Sequence, residues 1–200
     1  MTGDRVAIGL RAHSGWAAMV ALAESPGKLA IVDRRRINLA DPEVPGFPQP
    51  YHAAEEAPST KARQLVDACI VACRRLAEEG IRSAVEDLNG RGLKVVACGI
   101  LAGSGRALPE FEAILASHAL LHTAEGEMFR DALRHGAICC RLAMGTLRER
   151  DAYAEAADTL AIPPSEIRSR IHALGAAIGP PWREDQKLAA VAAWVALRQV

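Results

Sequence analysis

The chain has 200 residues, half of them apolar, with 24 Lys and Arg balancing 24 Asp and Glu. That length suffices for one domain with a proper core. A formal net charge of zero argues against general binding of a phosphate backbone, so nucleic acid is an unlikely partner on charge alone.

Met1 to Leu10 carry no apolar signal core, and no stretch approaches the roughly 18 apolar residues of a membrane span. A cytoplasmic protein without membrane contact is expected. The five cysteines, Cys69, Cys73, Cys98, Cys139 and Cys140, sit in apolar stretches without paired CxxC hooks. They read as reduced core residues.

Three strands open the chain: Val6 to Leu10, Trp16 to Ala23 and Leu29 to Leu39, joined at Ser14-Gly15 and Ser25-Pro26-Gly27 with hairpin spacings. Asp41 to Ser59 holds five prolines and no apolar period, so an extended loop is expected. A long amphipathic helix starts after Thr60, carries Leu65, Cys69, Ala72, Cys73 and Leu76 at helical spacing, and ends at Asn89-Gly90. Leu93 to Leu101 is a strand buried on both faces. Pro109 opens a helix to about Arg134, and His135-Gly136 ends it before a short strand from Ala137 to Leu142. The remainder is helical: Arg148 to Leu160, Ser165 to Ala177 and Glu184 to Leu197, with breaks at Pro163-Pro164 and Pro180-Pro181.

This order gives an α/β protein with a mixed sheet of about five strands, helices on both faces and a helical C-terminal tail. Residues 1–146 form the core, and residues 147–200 pack on it within a single domain. The element order resembles the ribonuclease H-like superfamily, in its Holliday-junction resolvase branch. Two local features join in: the small-residue helix Ala116 to Ala132 after the fourth strand, and Glu184-Asp185-Gln186-Lys187 opening an Ala-rich last helix. The resemblance implies acids on the first strand, at the fourth strand and at the start of the last helix, because two magnesium ions need converging carboxylates. The first strand reads Ile8-Gly9-Leu10 and the fourth reads Ala97-Cys98-Gly99-Ile100, without an acid. Asp185 alone falls at a matching place, so two-metal nuclease chemistry is not expected.

On the helix from Pro109 to Arg134, a turn of about 100° per residue brings His118, His122 and Glu125 together with Phe111, Ile114, Leu115, Leu121, Phe129 and Leu133. Three ionisable groups then lie at i, i+4 and i+7 on the face expected to be buried. Such groups need partners. One reading is a satisfied network, with Glu125 paired to an arginine such as Arg11 or one of Arg34 to Arg36. The other is a catalytic or ligand pocket beneath the Pro-rich loop, to which His13, Tyr51 and His52 contribute. The two histidines can share one divalent metal ion, with Glu125 as third ligand or as base.

The turn Arg11-Ala12-His13-Ser14-Gly15-Trp16 offers a second candidate. In actin-like relatives of the superfamily the equivalent turn wraps a phosphate, and Arg11, Ser14 and nearby backbone N–H groups suit that task. A Ser-Gly hairpin turn also needs no function.

The expected function is thus a ribonuclease H-like domain without the two-metal acids, holding a small molecule or nucleotide around His118, His122 and Glu125. A metal-dependent hydrolase using that trio is one alternative. A non-catalytic interaction domain is another, its last helix pairing with a second copy as a homodimer, or with a partner, through the stripe Leu188, Val191, Ala192 and Val195. Nucleic-acid recognition needs Arg34 to Arg36 to share a face with Arg141, Arg148 and Arg150.

Overall fold

The computed structural model describes residues 5–25 and 28–200. Pro26 and Gly27 of the expected second hairpin turn lie outside them. Strands β1 (Arg5–His13), β2 (Trp16–Ser25) and β3 (Lys28–Asn38) form an antiparallel meander, and β4 (Lys94–Ala102) and β5 (Ala143–Arg148) add parallel to its β1 side. The order across the sheet is β3-β2-β1-β4-β5. The expected five-strand mixed sheet is present.

Side-chain alternation sends Val6, Ile8 and Leu10 to one side of the sheet and Ala7 to the other. The first side is covered by α2 (Ser59–Gly90) and α4 (His118–Cys139). In α2, Val66, Cys69, Cys73, Ala77, Ile81, Ala84 and Leu88 are buried at steps of three and four, a single apolar stripe along one helix. The second side receives α7 (Glu184–Arg198), supported by α5 (Ala152–Leu160) and α6 (Pro164–Ile178).

A row of glycines seats α7. Gly9, Gly99 and Gly145 are register partners across β1, β4 and β5. A Cβ on Gly9 would stand 1.8 Å from the Ala189 carbonyl oxygen, and one on Gly99 2.1 Å from that of Ala192. The helix backbone therefore rests directly on the sheet. This close seating buries Leu188, Val191, Ala192 and Val195 to within 6% of full burial. The stripe expected to pair two copies of the chain is occupied by the chain's own sheet.

The loop after β3 is not wholly extended. Pro50 at its first turn starts a short helix, α1 (Pro50–Ala54), since proline's fixed φ and missing N–H suit that position. The helix expected from Pro109 to Arg134 is two: α3 (Phe111–Leu115), then Ser117 in extended conformation as N-cap of α4.

At the far end α4 continues through His135 and Gly136. Gly136 lies against α2, where a Cβ would meet the Ala77 backbone at 3.0 Å, so this glycine serves helix packing and not termination. Termination falls to Arg141, at φ 56°. Its N–H donates to the Ile138 carbonyl and that of Leu142 to Ala137, at 2.9 and 3.1 Å, a Schellman closure with a non-glycine residue at C′. The fifth strand consequently starts at Ala143, six residues beyond the expected position. No helix among the described residues is long and apolar enough to cross a membrane.

Candidate functional site

Because β1, β4 and β5 run parallel, their C-terminal ends share one side of the molecule. Ligand sites in open α/β sheets favour this side, beyond the carboxyl ends of strands. β1 extends past Leu10 and carries Arg11 and His13 there, β5 delivers Glu149 on a 3-10 turn (Glu149–Asp151), and the seating of α7 brings Asp185 to the same place.

Arg11 joins the two acids. Its Nε and Nη2 donate to Glu149 Oε1 at 3.1 and 2.6 Å, and its Nη1 pairs with Asp185. Burial opposes the charge on Arg11, but hydrogen bonds and attraction from Glu149 and Asp185 outweigh it and raise the guanidinium pKa above its ordinary value. His13 Nε2 lies 3.1 Å from Asp185 Oδ1, and its ring stacks on Trp16 with centroids 4.3 Å apart. Within this cluster, each charge already faces its opposite.

Next to it lies a cleft of about 220 Å³ lined by His13, Ser14, His122, Glu125, Phe129 and Arg130. Glu125 is 3% exposed and is the buried acid of α4. Its partner is not an arginine. The His52 backbone N–H donates to Glu125 Oε1 at 3.2 Å, and His52 Nδ1 lies 2.9 Å from the same oxygen. In a neutral imidazole, a carboxylate acceptor at Nδ1 draws the ring proton there and leaves Nε2 with the lone pair. His52 Nε2 is buried and has no hydrogen-bond partner.

His118 and His122 are exposed, contrary to the expected burial. They stand in the first two turns of α4, ahead of the stretch where Phe129 and Leu133 on the same face are buried. His118 becomes the first residue of α4, and the covered face there runs through Leu121, Ala124, Glu125 and Met128. The two Nε2 atoms are 3.2 Å apart. The His52 ring centroid lies 5.2 Å from that of His118 and 4.5 Å from that of His122. One ring nitrogen from each of the three histidines falls within 4.8 Å of the others, so these residues could hold a metal ion.

Among the residues singled out in the sequence, the structure brings His52, His118, His122 and Glu125 together and joins His13 and Ser14 to them through the cleft. Arg11 is committed to its acids. Tyr51 turns into the core, 8% exposed, with Phe111 beside it at 6.2 Å; burial raises its hydroxyl pKa. Cys69, Cys73 and Cys98 are buried as expected, but Cys139 is exposed. Burial pushes the Cys69 and Cys73 thiols up to about 11 and about 12, so neither is a ready nucleophile.

Glu149, Arg106 and Arg130 were not foreseen as site residues. Beyond the ends of β4 and β5 a larger cleft of about 610 Å³ is lined by Arg106, Arg130, Arg148 and Arg150, with Glu149 and Asp151 as its acids. Arg106 is exposed, and Arg150 is 86% exposed. Arg34 to Arg36 do not share this face. They lie on β3, at the opposite edge of the sheet from β5. Arg34 donates to the carbonyls of Gly179 and Pro180, at 3.0 and 3.3 Å, and also to Pro181; Arg35 binds Asp33 and Asp87, at 2.6 and 2.9 Å; Arg36 lies over Trp16.

No protein-family model matches the sequence, and no curated protein is significantly similar to it. Solved structures are similar in fold. The Thermus thermophilus RuvC structure aligns with a TM-score of 0.51 at 12% identity, covering 95% of this chain and 92% of that one. T. thermophilus RuvC in complex with Holliday junction substrate aligns with a TM-score of 0.52 at 9% identity, covering 95% and 91%. The second likeness overturns the expectation that nucleic acid is an unlikely partner, because a chain of this fold is known bound to DNA. Net charge averages over the whole surface and does not register that four arginines line one cleft. The strand order, the mixed pairing and these two likenesses together give the chain the ribonuclease H-like fold.

Proposed function

We propose that this chain is a ribonuclease H-like domain that binds nucleic acid, taking backbone phosphates in the cleft of Arg106, Arg130, Arg148 and Arg150, and that it does so without two-metal strand cleavage. The observation that carries this reading is the Arg11 bridge to Glu149 and Asp185. In the resemblance, this end of the first strand is where an acid would help to hold magnesium. Here a guanidinium sits between Asp185 and Glu149 and pairs with both, occupying the place where a cation would otherwise bind. Arg106, Arg148 and Arg150 are exposed at this cleft, and although Arg130, Arg148 and Arg150 also pair with Glu127, Glu155 and Asp151, guanidinium groups keep further N–H donors suited to paired hydrogen bonds with phosphate oxygens. The smaller cleft at His13, Ser14 and Arg130 shares Arg130 with the larger one and would receive a nucleotide leaving it.

Fluorescence anisotropy of a labelled synthetic four-way DNA junction tests this. At low salt, binding in the micromolar range is expected, weakening steeply as salt rises. The double variant Arg106→Ala/Arg150→Ala is expected to bind about tenfold more weakly and to lower the salt slope by about two. Arg82→Ala/Arg91→Ala, remote from the cleft, is the control. Equal losses in both double variants, or no loss in the first, would refute the reading.

A further inference from the structure

The three histidines that meet above Glu125 come from two elements, His52 from α1 and His118 and His122 from α4. We propose that they hold one divalent transition-metal ion, zinc or an ion of similar chemistry, with Glu125 as the carboxylate that orients His52. His122 and Glu125 also line the smaller cleft, but none of the three histidines lines the larger arginine cleft, and metal binding is tested independently of nucleic-acid binding.

Four features converge on it. The tautomer of His52 is fixed by Glu125, whose Oε1 takes both the backbone N–H and Nδ1 at 3.2 and 2.9 Å. Metal-bound histidines regularly carry such a carboxylate on the far nitrogen, which also raises the basicity of the ligating one. His52 Nε2 is the atom so prepared, and it is buried without a partner. A buried polar atom left unpaired costs free energy unless something binds it.

Spacing is the third feature. His118 and His122 stand at i and i+4, and their Nε2 atoms approach to 3.2 Å. Two nitrogens bound tetrahedrally at zinc, each at about 2.0 to 2.1 Å, lie roughly 3.3 Å apart. The fourth is chemical: an imidazole set favours zinc, copper, nickel or cobalt over magnesium, which prefers oxygen. With His118 and His122 exposed, solvent completes the coordination. Three protein ligands and a water make the open arrangement of catalytic zinc sites, unlike the closed sets that only brace a fold.

Glu125 thus changes role from the sequence reading: it supports a ligand and is not itself the third. A second group, Glu78, His135 and Cys139, also gathers three donor atoms. It lies farther along α4 and supplies the control.

Metal-stripped full-length chain would be titrated with zinc by calorimetry and with cobalt by visible absorption. One equivalent is expected, with the spectrum of a four-coordinate cobalt site. His118→Ala and His122→Ala, both at exposed positions that leave the fold intact, are each expected to weaken binding about 100-fold, and Glu125→Gln about 10- to 100-fold. His135→Ala should leave it unchanged. Uptake of only a small fraction of an equivalent, undiminished binding in His118→Ala and His122→Ala, or loss confined to His135→Ala would overturn the proposal.

Discussion

Two polar clusters lie side by side at this end of the molecule, and they differ in how completely their atoms are matched. Around Arg11, the guanidinium meets Glu149 and Asp185, and Asp185 also meets His13. Around Glu125, the carboxylate is satisfied by His52, but the far nitrogen of that histidine is not, and two more imidazoles face it. In the first cluster every charged side chain has an opposite partner. The second leaves one buried imidazole nitrogen unpaired beside two exposed imidazoles. Composition alone would rank them the other way, because the first holds two acids beside a histidine and looks more like a metal site.

The contrast can be broken by removing the central residue of each cluster. Glu125→Ala should have the larger effect on stability. It removes the acceptor of two hydrogen bonds at a position 3% exposed, which should cost about 2 to 4 kcal/mol in urea unfolding. Arg11→Ala should cost less, about 1 to 2 kcal/mol, because Arg11, Glu149 and Asp185 keep 19%, 31% and 26% of their side-chain surface exposed and water screens the loss. That variant sharpens the comparison in a second way. It leaves two carboxylates facing each other without their cation, so magnesium should raise its melting temperature while leaving the parent chain's unchanged. A greater loss from Arg11→Ala than from Glu125→Ala, or no response to magnesium, would show that the first cluster is not closed by Arg11.

Much of the fold was legible in the sequence because its signals are local or periodic. Hairpin spacing marked the meander, and the helical spacing of Leu65, Cys69, Ala72, Cys73 and Leu76 marked the long helix, although the buried stripe runs through Val66 and not Leu65. Register at the end of α4 was not legible. His135-Gly136 has the look of a stop, but Gly136 is required by contact with Ala77 on α2, a relation that only the tertiary structure creates. The same holds for Gly9, Gly99 and Gly145, three unremarkable glycines until the strands align them beneath α7.

The candidate site was half visible. Helical geometry grouped His118, His122 and Glu125, and the Pro-rich loop was expected to bring His52 to them. The exposure of His118 and His122 was not legible, since periodicity gives the direction of a helix face and not how far along the helix that face is covered. Glu125 was expected to pair with an arginine, because a buried carboxylate suggests a permanent cation, and a histidine from a short helix inside a Pro-rich loop leaves no periodic trace. Glu149 was hidden by the misplaced fifth strand. The arginine cleft was hidden by charge balance, which reports a sum and carries no information about position.

The central claim is that this fold holds nucleic acid at the strand ends while Arg11 closes the place of two-metal chemistry. It is tested most directly by incubating a labelled four-way DNA junction with the chain and magnesium, at a protein concentration where anisotropy shows the junction bound, and resolving the strands on a denaturing gel. The account predicts a bound junction with intact strands. Cleavage that depends on magnesium and disappears in Asp185→Ala would contradict it.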